Sequence, residues 1–159
     1  MNKTNGRRAP ILLIRLLVGW VFLVEGILKF LRPDDLGVGR FTSIAIPWPQ
    51  AMAPFVGVVE ISCGALIIAG LLTRFAAIPL LIDISVAILS TKLPIWLGHG
   101  YWRFHAPSVK HYGFLSMLHE ARTDISMLLG LVFLLIVGAG GWSVDGFCRK
   151  ANQQHWGTH

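Results

Sequence analysis

Five carboxylic acids in this 159-residue chain, Glu25, Glu60, Asp83, Glu120 and Asp124, stand inside long apolar blocks, while Asp34, Asp35 and Asp145 fall between blocks. A charge at the centre of a bilayer costs about 2.5–3.5 kcal/mol even on the mild insertion scale. The five must therefore face one another, water or basic partners. Glu25 and Lys29 are four apart, on one helix face, in the favourable acid-before-base order. Arg15 lies in the first half of the same block. Arg122 stands between Glu120 and Asp124 but about 200° from each around a helix, so it is expected to face Glu60 or Asp83 on another helix. Carboxyl groups so gathered can pass protons and shape a quinone or small-substrate pocket. A metal site is the second chemistry to weigh, because the imidazole of His119 with the carboxylates of Glu120 and Asp124 suits iron, manganese or zinc. The Glu-x-x-His spacing of bundle metal sites is absent. The plainer reading is that these groups are buried ion pairs that fix helix register.

The elements that must position them follow from composition. Hydrophobic residues make up 54% of the chain and charged residues 14%, well under the roughly 25% of soluble domains. The apolar residues run in blocks of about 20, long enough at 1.5 Å per residue for a hydrocarbon core about 30 Å thick. Four spans are predicted, over 10–31, 50–72, 75–93 and 118–139. A nine-residue tail (1–9) precedes them, and a polar tail (146–159) follows a membrane domain over 10–145. Thr73 and Arg74 are expected to form a very short turn, which makes the second and third spans antiparallel neighbours. The first block carries no small-residue cleavage site and is expected to be a retained span. The fold class is thus all-α, an integral membrane four-helix bundle.

Depth then places the acids. Glu25 and Glu120 fall near the outer ends of their spans, Glu60 and Asp83 near mid-membrane, and Asp124 one turn below Glu120. Glu25, Lys29, Glu60, His119, Glu120 and Asp124 are expected to converge on a polar cavity open to the outer surface. In this reading Glu25, Lys29, Glu60, Glu120 and Asp124 do the chemistry, and Asp83 and Arg122 hold the bound group.

The net charge of +6 does not point to nucleic acid, because the basic residues sit mostly at the ends of apolar blocks. Lys3, Arg7, Arg8, Arg74, Arg149 and Lys150 lie on one side of the predicted topology. Arg32, Arg40, Lys92, Arg103 and Lys110 lie on the other, and the N-terminal cluster tips both termini toward the cytoplasm. Cys63 in mid-span and Cys148 beyond the last span are too far apart for a disulfide. The segment 94–117 mixes Trp96, Tyr101, Trp102, Phe104, Tyr112 and Phe114 with His99, His105 and His111. It reads as an interfacial segment, or functionally as a docking surface or a lid over the cavity. Trp48, Trp96 and Trp142 flank spans as interface anchors, and Trp20 is expected to pack within the bundle. Ala53 and Gly57, Ala65 and Ala69, and the heptad pair Gly57 and Gly64 suit close helix packing.

Several of these residues resemble the DoxX family of small four-helix membrane proteins. Gly26-Ile27-Leu28-Lys29 resembles the G-x-x-K at the end of the family's first helix. Glu60, Gly64, Leu66 and then Gly70-Leu71-Leu72-Thr73-Arg74 resemble its acidic residue, small-residue run and G-L-x-T-R turn. Gly140-Gly141-Trp142-Ser143-Val144-Asp145 is similar to its glycine-rich S-x-D ending. The similarity runs from about Arg15 to Asp145, and the chain departs from the pattern in its His- and Trp-rich third loop and its acids on span four. The resemblance implies a membrane subunit of an oxidoreductase system, quinone-linked, working with a partner redox protein in the lipid bilayer of a bacterial inner membrane. A homo-oligomer is compatible with it. The alternative is a non-enzymatic membrane anchor or assembly factor that docks a redox or metal protein through 94–117.

Overall fold

The computed structural model describes residues 8–147. These residues fold into helices α1 (Arg8–Leu31), α2 (Val38–Ser43), α3 (Pro49–Ala69), α4 (Thr73–Ala87), a π-helical turn (Ile88–Lys92), α5 (Leu93–Leu97) and α6 (Phe114–Val137). Lys3, Arg7, Cys148, Arg149 and Lys150 lie outside the described residues, whereas Arg8 opens α1. The expected all-α four-helix membrane bundle is the fold observed. Ala9–Leu31, Pro49–Ala69 and Thr73–Leu97 are long and apolar enough to cross a membrane. Helix α6 has the same 24-residue length as α1, but Glu120, Arg122 and Asp124 make its first half more polar.

Two boundaries differ from the sequence expectation. The tight link between the second and third long helices is Gly70–Leu72, and Thr73 already belongs to α4. Gly70 takes φ +72°, a left-handed cap that glycine adopts without strain, and its N–H returns to the carbonyls of Ile67 and Leu66. The third long helix does not stop at Leu93. It continues to Leu97 through the π-helical turn, because Pro94 sits in the first turn of α5, where its missing N–H is tolerated. Helix α6 starts at Phe114 after Gly113, whose N–H reaches the carbonyl of Ile95 at 3.0 Å. The aromatic loop is therefore 98–113, not 94–117.

The bundle is built as two helix pairs, α1 with α3 and α4 with α6, which make its most extensive contacts. The first pair is held by glycine. The buried residues of α3 are Ala53, Gly57, Glu60, Gly64 and Ile67, spaced four, three, four and three as on a coiled-coil seam. A side-chain carbon at Gly19 would stand 2.7 Å from the carbonyl oxygen of Gly64, and one at Gly26 would stand 2.7 Å from that of Gly57. Backbones this close admit no side chain at either crossing, as at small-residue contacts between membrane helices. Gly57 and Gly64 thus form the predicted packing seam, with Gly19 and Gly26 as their counterparts. Ala65 and Ala69, by contrast, are exposed.

Val18, Phe22, Ile67, Leu80, Ile84, Met127, Leu131 and Leu134 fill the interior between the pairs. Leu13, Leu17, Phe55, Phe75, Ile82, Leu129 and Ile136 face outward, as lipid-facing residues should. Trp20 joins them at 63% exposure and does not pack within the bundle. It follows Gly19, which already occupies the contact with α3.

One end of the bundle is closed by Arg15, which is 2% exposed. Its guanidinium donates to the carbonyls of Ile67 (2.9 Å), Ile68 (2.6 Å), Ala139 (2.9 Å) and Trp142 (2.6 Å). Arg74 donates to the carbonyl of Ile136 at 2.8 Å. The last carbonyls of α3 and α6 have no partners within their helices and carry the negative end of the dipole, so arginine suits them twice over. Arg15 is therefore engaged at this end and does not face the acids.

Candidate functional site

At the other end the two helix pairs enclose a cavity of about 360 Å³. Every long helix brings ionisable side chains to it: Glu25 and Lys29 from α1, Glu60 from α3, Asp83 from α4 and Lys92 from the π-helical turn that follows, and Glu120 and Asp124 from α6. All five acids placed within spans by sequence thus line one space. Apolar side chains complete the walls, among them Val21, Phe22, Val56, Ile84 and Met127.

The cover comes from the first loop. Leu36, Arg40, Phe41, Ile44 and Ile46 line the cavity, and Phe41 and Ile44 are buried against it. Gly37 and Gly39 let this loop fold tightly onto the end of α1, since a side-chain carbon at Gly37 would strike the carbonyl of Lys29 and one at Gly39 that of Asp34. The third loop was the sequence candidate for a lid, but no residue of 98–113 lines the cavity. It touches the cover from outside, where His105 Nδ1 lies 3.3 Å from the carbonyl oxygen of Ser43.

Two ion pairs organise the charges. Lys29 Nζ meets Glu60 Oε2 at 2.5 Å, with side-chain exposures of 11% and 5%. The expected partner of Lys29 was Glu25 on the same helix. Glu25 is exposed at the cavity, whereas Glu60 is buried on the glycine seam and needs a counter-charge far more. The close crossing of α1 and α3 brings Lys29 to it. The second pair is Lys92 Nζ with Asp124 Oδ2 at 3.2 Å, exposed by 12% and 23%. Each helix pair thus carries its own lysine–carboxylate clasp, and both clasps line the same space.

Two expected site residues go elsewhere. Arg122 does not reach Glu60 or Asp83. It is exposed, outside the cavity lining, and bonds the backbone carbonyl and ring of His119 one turn back. His119 is also exposed and outside the lining, with its Nδ1 3.6 Å from Glu120 Oε1. The metal set of His119, Glu120 and Asp124 is therefore not assembled, since successive helix positions diverge by about 100°. Among the described residues no group of three or more His, Cys, Asp or Glu could hold a metal ion.

Sequence reasoning missed Lys92, Ser90, Thr91 and Arg40 as wall residues. Ser90 was legible, because 83, 87 and 90 follow the helical period and share one face. Lys92 was not. In an unbroken α-helix it would stand about 180° from Asp83. The wide turn at Ile88–Lys92 brings it round to the cavity, a local change for which no sequence period exists.

Comparison with known proteins agrees with this architecture. The DoxX family model matches residues 11–93. A protein of Mycobacterium tuberculosis (strain ATCC 25618 / H37Rv), described as the uncharacterized membrane protein Rv3486, is 54% identical over 135 residues, 85% of this chain and 78% of that protein. No solved structure gives a significant match. The family match takes in Lys29 and Glu60, the crossing that holds them together, and the whole of α4 through Lys92. With its apolar helices of membrane-spanning length, this chain is an integral membrane protein of the DoxX family.

Proposed function

We propose that this protein is the membrane subunit of a quinone-linked oxidoreductase and that its cavity receives the quinone head. The observation that carries this reading is the cavity itself. All four long helices bring ionisable groups to one apolar-walled space inside the membrane bundle. A quinone ring is flat and apolar on its faces and carries hydrogen-bond acceptors at its edge. Phe22, Ile84 and Met127 suit the faces, and the lysines suit the oxygens. Reduction of a quinone to its quinol takes up two electrons and two protons. The sequence has no recognisable haem, flavin or iron–sulfur motif, so the electrons come from a partner redox protein. The carboxyl groups serve the protons, with Glu25 and Glu120 at the exposed mouth and Glu60 at depth. In this proposal the mouth faces outward from a bacterial inner membrane and both termini are cytoplasmic.

The test is direct. The full chain is purified in mild detergent and its bound quinone extracted and quantified, alongside quinone-linked turnover in membranes. Near-stoichiometric quinone is expected. Glu60→Gln should abolish turnover, and Glu25→Gln, at an exposed position that carries no packing, should reduce it. Turnover unchanged in both variants, or protein free of quinone, defeats the reading.

A second reading has one observation in its favour. Trp102 is 83% exposed on a loop that contributes nothing to the cavity, which fits an anchor or assembly factor docking a redox or metal protein there. Deleting 99–111 should then release a co-purifying partner while the helical content holds. A partner that stays bound places docking elsewhere.

A further inference from the structure

We infer that the Lys92–Asp124 clasp is a second binding half-site facing Lys29–Glu60, so that the ligand of this cavity is a ring with two opposed acceptors, a 1,4-dicarbonyl, and not a lipid with a single polar head. The inference rests on the quinone reading of the cavity and narrows it.

Three observations support it. First, the clasps belong to different halves of the molecule. Lys29–Glu60 ties α1 to α3, and Lys92–Asp124 ties the π-helical turn to α6. Both clasps line the same cavity, one lysine reaching it from α1 and the other from the π-helical turn. Second, the wall that carries Lys92 is built by a departure from regular helix. A π-helical turn is uncommon and concentrates at functional sites. Here it is stabilised locally, with Thr91 Oγ1 donating to the carbonyl of Ala87 at 2.6 Å, and it turns Lys92 inward. A lysine needed only as a membrane-surface anchor would have no use for such a turn. Third, the clasps match in composition. Each offers an ammonium donor next to a carboxylate. A single-headed ligand would engage one and leave the other idle. A ring with oxygens at both ends engages both, one ammonium at each oxygen. When the ring is reduced by electrons from the partner protein, each oxygen takes up one proton. A carboxyl group stands beside each to deliver it, Glu60 on one side and Asp124 on the other.

The experiment uses the full chain in lipid nanodiscs and two probes of nearly equal shape. One is 2-methyl-1,4-naphthoquinone, with two carbonyls. The other is 1-tetralone, with one. Affinities are measured by equilibrium dialysis for the wild type, Lys92→Gln and Asp124→Asn, with thermal midpoints recorded for each. The wild type is expected to prefer the dicarbonyl probe by about tenfold or more, the worth of one charged hydrogen bond. Lys92→Gln should erase that preference while leaving 1-tetralone binding nearly unchanged, and Asp124→Asn should weaken it. A preference that survives Lys92→Gln overturns the second half-site and leaves the quinone reading standing. A wild type that binds neither probe overturns the quinone reading and this inference with it.

Discussion

The two ends of this bundle use buried charge in opposite ways. At the closed end Arg15 donates to four backbone carbonyls that terminate α3 and the turn after α6. No carboxylate takes part in those bonds, and the guanidinium is nearly sealed from solvent. At the open end each lysine meets a carboxylate, both clasps border an accessible space, and Asp83, Glu25 and Glu120 stand beside them. A cation that satisfies backbone carbonyls has no exchangeable partner and can only hold the chain together. A cation that meets an acid beside a cavity can be displaced by a ligand. The contrast separates the part of the molecule that provides stability from the part that is available for chemistry.

Four single substitutions and one double variant test that separation, the most damaging first. Arg15→Met should destabilise the protein by about 3–5 kcal/mol, because four buried carbonyls lose a charged donor at once. The measurement is thermal or denaturant unfolding in detergent. A loss under about 1 kcal/mol would show that the closed end is not what holds the bundle. Next comes Lys29→Met, which leaves Glu60 buried without its partner and should cost about 2–3 kcal/mol. The double variant Lys29→Met with Glu60→Leu should recover most of this stability yet bind no quinone. If the double variant retained binding, the open end would be structural like the closed one. Gly64→Ala should cost about 1–3 kcal/mol, since the added carbon would lie 2.9 Å from the carbonyl oxygen of Gly19 and force α1 from α3. It should weaken ligand binding too, by separating Lys29 from Glu60. A change confined to stability would mean that the crossing does not set the clasp. Trp20→Leu, on the lipid face, should stay within about 0.5 kcal/mol of wild type. A larger effect would place Trp20 in a contact between chains.

What could be read in the sequence follows from what a helix repeats. Long apolar blocks forecast the helices, and charge within them forecast the inward acids and the cavity. Pairing across helices was harder to see. Glu25–Lys29 was the local solution, written in a spacing of four, but the observed partner is Glu60, thirty-one residues further on. That choice depends on how closely α1 and α3 approach, which Gly19 and Gly26 decide together with Gly57 and Gly64. Half of that pattern was visible on α3 alone. Arg15 was legible as a buried charge and not as a carbonyl anchor, because nothing in one strand of text says which chain ends meet it. The covering loop escaped for a different reason. Of its buried residues, Phe41 sits in a six-residue helix too short to show a period, and Ile44 caps that helix.

The turn at Ile88–Lys92 has a consequence for how such a protein could change. A wide turn contains one residue more than the regular spiral needs. Deleting a single residue there would let α4 run straight into α5, rotating everything beyond by about 100° and swinging Lys92 away from the chamber. The third long helix therefore holds an adjustable joint: its shaft is fixed by packing, and the aim of its tip by the count of residues in one loop of the coil.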